Sequence, residues 1–413
     1  MMFSDQPSPD FLMCKPGAFL LLFVLLLSAA ATAQPRRNRP APSAPAVSQQ
    51  NVDEWMAQAA QEREAGRLDE AIAIYRKVVS ARPAGNEAWW YLATLLYERD
   101  RYLEAATAFK RVTQLTPKVG LPWAMLGLCE FRLRDYDNSL AHLRQGRQMG
   151  FGDNQEIIRS VRYHEAQLLL LKNDFEVAQS LFDSLSYDNI NTENLIIAHG
   201  LAALRISQLP DAIDSGHRDR DLIRRTGYCA HLVAQKNMGD AQQQYERLAA
   251  DFPKALNVQY VYGRFLYDQR NDDGAIAAFK REIENSPNHA LARLMIAWIK
   301  LRDKEFDAGL PFAEEAVKLH PRLPLAHYIL GRMLLENGDA EKSIGSLEIS
   351  RKLAPNEPKV YFSLSRAYAK VGRKEDAERA RETFARLNKQ AEQSAARGFY
   401  NLDDPEDGSK AKP

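Results

Sequence analysis

The feature that most constrains this chain is a period. Trp55, Trp89 and Trp123 stand 34 residues apart, and Pro83 and Pro117 keep the same step. The step resumes at Pro253, Pro287, Pro321 and Pro355. Pro117 and Pro253 are separated by four such steps, so the register survives the irregular stretch between them. A fixed repeat of this length means one supersecondary unit used many times, each unit too small to bury both of its faces alone. Length alone, 413 residues, suggests two or three globular domains. The repetition overrides that expectation.

Within one period the residues fall into two helical stripes. Counting from residue 86, position 4 is Trp89, position 8 is Ala93, position 20 is Ala105, position 24 is Phe109 and position 32 is Pro117. Positions 4, 8 and 11 share one face of a first helix, and 20, 24 and 27 one face of a second. Small residues at 8 and 20 let the two backbones approach, and the large ones fill the space beside them. Proline at 32 cannot continue the second helix. Gly66 and Gly372 stand where the first helix turns into the second. The copy from residue 256 carries Gly263, Ala275, Phe279 and Pro287, with Gln259 in place of a large residue at position 4.

This pattern, over residues 52–391, resembles the tetratricopeptide-repeat family. The resemblance implies an all-α fold, a right-handed α-solenoid of about nine to ten helical hairpins. The expected organisation is a signal peptide over 1–33, a Pro/Ala-rich linker over 34–50, an N-terminal repeat block over 51–192, an irregular joint over 193–221, a C-terminal repeat block over 222–391 and a tail over 392–413. The joint is expected because 208–221 holds Pro210, Gly216 and six charged residues. A fourth repeat is read from Arg159, displaced by the loop Gly150-Phe151-Gly152-Asp153.

The leader has Lys15 before the apolar run Ala18 to Leu27, then Ala31-Thr32-Ala33. Such a sequence predicts export with cleavage after Ala33, an uncleaved anchor being the alternative. Asp5 and Asp10 ahead of it suit a start at Met13 as well as at Met1. The expected location is periplasmic or secreted, with no integral membrane span in the mature chain. Cys129 and Cys229 are far apart in an array whose repeats touch only neighbours, so they are expected as two separate buried thiols.

With 55 Lys+Arg against 54 Asp+Glu, no net field attracts nucleic acid. The sequence contains no phosphate loop, His-Glu-x-x-His, Gly-x-Ser-x-Gly or Cys-x-x-Cys. His164-Glu165 is the nearest approach to a metal pair, but adjacent residues face different sides of a helix. Asn271-Asp272-Asp273-Gly274 reads as a turn, because further calcium ligands are missing. No enzyme, cofactor or metal is expected.

Positions 5, 9 and 12 form a stripe rotated from the core, which in the resembled family lines a concave groove. The C-terminal block holds Tyr260 and Arg264, Tyr328 and Arg332, Phe362 and Arg366 there, with Tyr267 and Trp298 between. Arg beside aromatics suits an extended peptide with acidic groups, or each Arg stacks on the aromatic one turn earlier. In the N-terminal block the stripe is apolar, with Trp90, Tyr97 and Phe131. It reads either as an anchor for a hydrophobic segment or as a covered face. The Lys and Asn that grip a terminal carboxylate in the chaperone-binding branch are absent from positions 5 and 9. The function expected is a non-catalytic protein- or peptide-binding scaffold of the bacterial cell envelope, the alternative a structural assembly factor of an envelope complex.

Overall fold

The computed structural model describes residues 49–396; the expected signal peptide, all but two residues of the linker and residues 397–413 lie outside that range. Contacts divide the chain into two compact units that meet in sequence at Lys172 and Asn173. Among the described residues there are nineteen α-helices and no strand.

The first unit holds α1 (Gln49–Glu64), α2 (Leu68–Ala81), α3 (Asn86–Glu98), α4 (Tyr102–Leu115), α5 (Gly120–Arg132), α6 (Tyr136–Met149) and α7 (Gln155–Leu171). Consecutive helices pack as antiparallel hairpins, and their buried side chains form one continuous core. Trp90, Tyr75 and Phe109 are its largest fully buried members. Asn154 caps α7 by accepting from Ile157 N at 3.2 Å, which restarts the helical register after the loop at 150–153.

The second unit holds α8 (Phe175–Tyr187), α9 (Glu193–Ala203), α10 (Arg220–Ala234), α11 (Met238–Asp251), α12 (Val258–Asp268), α13 (Asp272–Asn285), α14 (Ala290–Arg302), α15 (Phe306–Leu319), α16 (Pro324–Glu336), α17 (Ala340–Leu353), α18 (Pro358–Lys370) and α19 (Lys374–Ala396). The described helix count is odd because α9 has no second helix. In its place, residues 204–219 carry only a 3₁₀ turn at Pro210–Ala212, pegged inward by the buried Leu204, Pro210 and Ile213.

Without that helix, α9 and α10 pack directly on each other. Glycines make the approach possible: a Cβ on Gly200 would lie 1.9 Å from the Ile223 carbonyl oxygen, and one on Gly227 1.8 Å from that of Ile196. The polar groups of the segment are met from outside it. Asn257 Nδ2 donates to Leu204 O at 2.7 Å and Arg220 donates to Ile213 O, while Arg220 and Arg224 of α10 reach Glu193 of α9 at 2.9 and 3.0 Å.

Two periodic devices explain the sequence ladder. The turn inside each hairpin has one residue at positive φ at position 15, and glycine fills it only at Gly66, Gly338 and Gly372. Elsewhere it is Asp100, Arg134, Asn173, Lys236, Arg270 and Lys304, with φ of 57° to 63°. Backbone geometry is the repeated quantity there, and the residue type is not.

The second device ties position 4 to the preceding proline. Trp89 Nε1 donates to Pro83 O at 3.0 Å, Trp123 Nε1 to Pro117 O at 3.1 Å, His327 Nε2 to Pro321 O at 2.9 Å and Tyr361 OH to Pro355 O at 2.7 Å. A carbonyl orphaned at a helix end is thus satisfied by the polar tip of a large side chain. Gln259 is too short for this and turns to Ala249 O, while Pro253 O accepts from Asn285 Nδ2 at 2.7 Å instead.

Candidate partner-binding face

The stripe one residue off the core divides into buried and accessible members. Trp90 is 1% exposed and sits edge-on to Phe109 at 5.5 Å. Tyr97 is buried edge-on to Tyr102. Tyr260 is buried against His289 at 5.0 Å, and Tyr328 is buried too. These four therefore belong to packed seams and offer little open surface to a partner. For Tyr328 the physical reason is that α16 touches both α14 and α18, and for Trp90, Tyr97 and Tyr260 it is the ring packed against each. Phe131 is half-buried between Tyr136 and His164, at 5.7 and 4.8 Å. Tyr267 and Trp298, also half-buried, join across two repeats, Trp298 Nε1 donating to Tyr267 OH at 2.9 Å.

The arginines behave differently from one another. Arg264 hydrogen-bonds the Tyr260 side chain, and its buried Nε has no partner. Arg332 lies over the Tyr328 ring at 6.0 Å with Nη1 3.5 Å from the hydroxyl, the self-stacked arrangement. Arg366 reaches back one repeat to Glu336, at 2.7 and 3.3 Å. Lys370 Nζ donates to Leu335 O at 2.8 Å. The Glu336 carboxylate is held below its ordinary range by the Arg366 hydrogen bond first, and by the charges of Arg366, Arg332 and Lys370. Arg366 thus pairs with this carboxylate on α16, and Arg332 and Lys370 lie near enough for their charges to act on it. Beside them Phe362 is 48% exposed, its ring 5.4 Å from Phe384 of α19. This is the accessible part of the stripe, and Lys370, Glu336 and Phe384 were not legible as members of it.

In the first unit, α1, α2 and α3 border an open cleft of about 400 Å³ lined by Met56, Arg63, Tyr75, Arg82 and Tyr91 among others. Arg63 lies 4.5 Å over the Tyr91 ring. Burial pushes the Tyr75 hydroxyl up to about 12, so it stays protonated. The cleft includes the stripe positions of its first repeat, Met56, Ala60 and Arg63, beside residues outside the stripe.

One cluster has the outline of a nucleophile, base and acid. Gln179 Nε2 donates to Asp183 Oδ1 at 2.8 Å and to His199 Nδ1 at 2.7 Å. His199 therefore carries its proton on Nε2 and donates to Ser186 Oγ at 2.8 Å, and Ser186 donates to His231 Nδ1 at 2.7 Å. Ser186, His199 and His231 are all buried, with at most 1% exposed, so no substrate reaches the hydroxyl. Burial first, and His231 second, push His199 down to about 3. The network ties α8, α9 and α10 together as neutral groups.

His164 and Glu165 go separate ways, the first donating Nδ1–H to Ser160 O at 2.7 Å, the second pairing with Arg144 and Arg147. Asn271 caps α13 by accepting from Gly274 N, and Asp272 pairs with Arg302. Cys129 and Cys229 are free and buried. Among the described residues no group of three or more His, Cys, Asp or Glu side chains gathers as a metal site. No helix among them is long and apolar enough to cross a membrane.

A tetratricopeptide-repeat family profile matches residues 56–119, 231–290 and 294–358. Anaphase-promoting complex subunit 3 of Schizosaccharomyces pombe is 23% identical over 291 residues, 69% of this chain and 43% of that protein. A TPR repeat-containing protein of Methanocaldococcus jannaschii is 21% identical over 336 residues, 78% of this chain and 54% of that protein. The chain spans about half the length of these relatives. Among solved structures, MamA from Desulfovibrio magneticus RS-1 overlaps at TM-score 0.37 and 21% identity, covering 42% of this chain and 96% of that one. From the in-phase hairpins and the matched segments, the chain belongs to the tetratricopeptide-repeat family, whose repeats imply a protein-binding scaffold.

Proposed function

We propose that this chain is an exported scaffold of the bacterial cell envelope, and that it holds an acidic, partly aromatic segment of another protein on α16 and α18. The observation that carries the reading is the excess of cations there: Arg332, Arg366 and Lys370 act on a single carboxylate, Glu336, beside the exposed Phe362. Arginine offers paired planar donors to a carboxylate, and an exposed aromatic offers area at low entropic cost. Export rests on Lys15, the apolar run from Ala18 to Leu27 and the small residues before Gln34.

The test is the variant Arg332→Glu with Arg366→Glu. Partners are crosslinked in the native envelope and identified by mass spectrometry, with circular dichroism as the folding control. Loss of one stoichiometric partner at least ~10-fold, about 1.4 kcal/mol, is expected. Equal capture by the folded variant would remove the assignment. N-terminal sequencing of the fractionated protein checks export, where a chain beginning at Gln34 is expected and an intact leader in the cytoplasm refutes it. A second reading, assembly factor of an envelope complex, draws on the relative named as a subunit of a complex. A fixed stoichiometry with a membrane complex in the same crosslinking would favour it.

A further inference from the structure

We infer that residues 397–413 of this same chain are a tethered occupant of the cationic face on α16 and α18. The inference rests on reading that face as a binding surface, and it names the ligand nearest to hand. After Ala396 the sequence runs Arg397-Gly398-Phe399-Tyr400-Asn401-Leu402, then Asp403-Asp404-Pro405-Glu406-Asp407. Three large apolar residues are followed by four carboxylates within five positions. The face presents the same two characters in order along α18: Phe362, 48% exposed, and then Arg366 and Lys370, joined by Arg332 from α16.

Reach agrees with this order. The rings of Phe384 and Phe362 are 5.4 Å apart, so these residues are level in the α18/α19 hairpin. α19 continues twelve residues past Phe384 to Ala396, a rise of ~18 Å. A chain returning from Ala396 must recover that ~18 Å to draw level with Phe362, and ~6 Å more to reach Arg366. That path adds a chain reversal and a lateral step of ~10 Å between helices; ten extended residues, as far as Glu406, span ~33 Å and cover it to Arg366. Arg366 already pairs with Glu336, and the remaining two positive charges are what the carboxylates would neutralise.

Two measurements on the full chain test it. In the first, Tyr400→p-benzoylphenylalanine is photolysed at low micromolar concentration and the products are mapped. Crosslinks within one chain to residues 324–370 are expected, falling at least threefold when Asp403→Asn, Asp404→Asn, Glu406→Gln and Asp407→Asn are combined. Crosslinks only between chains, only to other regions, or none would overturn the inference. In the second, a fluorescein-labelled peptide of residues 397–413 is titrated into the native chain and into that neutralised variant. A tether of this length gives an effective concentration of about 1 mM, so the native tail should weaken the peptide ~10-fold if its intrinsic Kd is about 0.1 mM. Equal binding to both forms overturns tethered occupancy and leaves the face as a binding surface. Binding to neither form overturns the tail as a ligand, while the partner reading still stands or falls on capture by the Arg332→Glu, Arg366→Glu chain.

Discussion

Gly227→Ala adds one methyl group, and the structure sets its cost. The new Cβ would lie 1.8 Å from Ile196 O and 2.7 Å from Gly200 N, both backbone atoms that no rotamer change can move. Restoring an ordinary contact of about 3.4 Å requires α9 and α10 to separate by ~1.6 Å. A gap of half an ångström to one ångström already forfeits a quarter to a half of a dispersion contact. The crossing buries Ile196, Ile197, Leu201, Ile223 and Ala230, and losing a third of the contacts of two such residues costs ~3–8 kcal/mol at about 40–60 contacts of ~0.1–0.2 kcal/mol each. Alanine returns ~1 kcal/mol of helix propensity, leaving a net loss of ~2–7 kcal/mol. Gly345, in α17 with nothing within 4 Å of an added Cβ, is the control: Gly345→Ala should stabilise by up to ~1 kcal/mol. Urea denaturation followed by circular dichroism, with hydrogen exchange of α9 and α10 to localise the loss, reads both. Opposite signs are expected, and a Gly227→Ala chain as stable as the native one would refute the direct glycine crossing.

Arg134→Gly and Lys304→Gly remove a Cβ from residues at φ of 62° and 63°. Each should stabilise by ~0.5–1 kcal/mol after the entropy of glycine is subtracted, seen as a higher urea midpoint. Burial pushes His164 and His289 down to about 4. Because these folded values lie below the unfolded 6.5, their stabilisation is complete above pH 6.5 and is lost as pH falls toward 4, by ~3 kcal/mol for each. Burial raises Glu282 and opposes this loss in the lower part of the window, so the net fall from pH 6.5 to 4.5, read by urea midpoints, should still be downward. Glu282→Gln weakens a buried carboxylate that accepts from Asn257 N at 2.9 Å and Tyr260 N at 3.1 Å. A loss of ~1–2 kcal/mol is expected, with faster amide exchange at the start of α12.

The all-α repeat was legible because Trp and Pro in a fixed step leave few alternatives. Turn geometry was only half legible: Gly66 and Gly372 advertise the left-handed corner, whereas Arg134 and Lys304 adopt it without a signal, held there by the helices on either side. The segment after Ile206 read as irregular from Pro210 and its charges, but that α9 would then lean on α10 through Gly200 and Gly227 needed coordinates. Glycine inside a helical pattern announces close approach without naming the neighbour. The binding stripe was the least legible element. A rotation of one residue separates seam from surface, and only the packing of successive first helices decides that Tyr328 is covered while Phe362 is not. Glu336 carries no periodic mark, so its coupling to three cations was invisible.

The bond from position 4 to the proline six residues earlier bears on the order in which the array assembles. Trp89, Trp123, His327 and Tyr361 close their corners with partners supplied by the adjoining stretch of chain, so those bends can form as soon as they are synthesised. The bend at Pro253 has to wait for Asn285, more than thirty residues downstream, before its carbonyl is answered. Closing the corner at Pro253 therefore depends on the arrival of α13, whereas the four corners at Pro83, Pro117, Pro321 and Pro355 close from within their own stretch of chain.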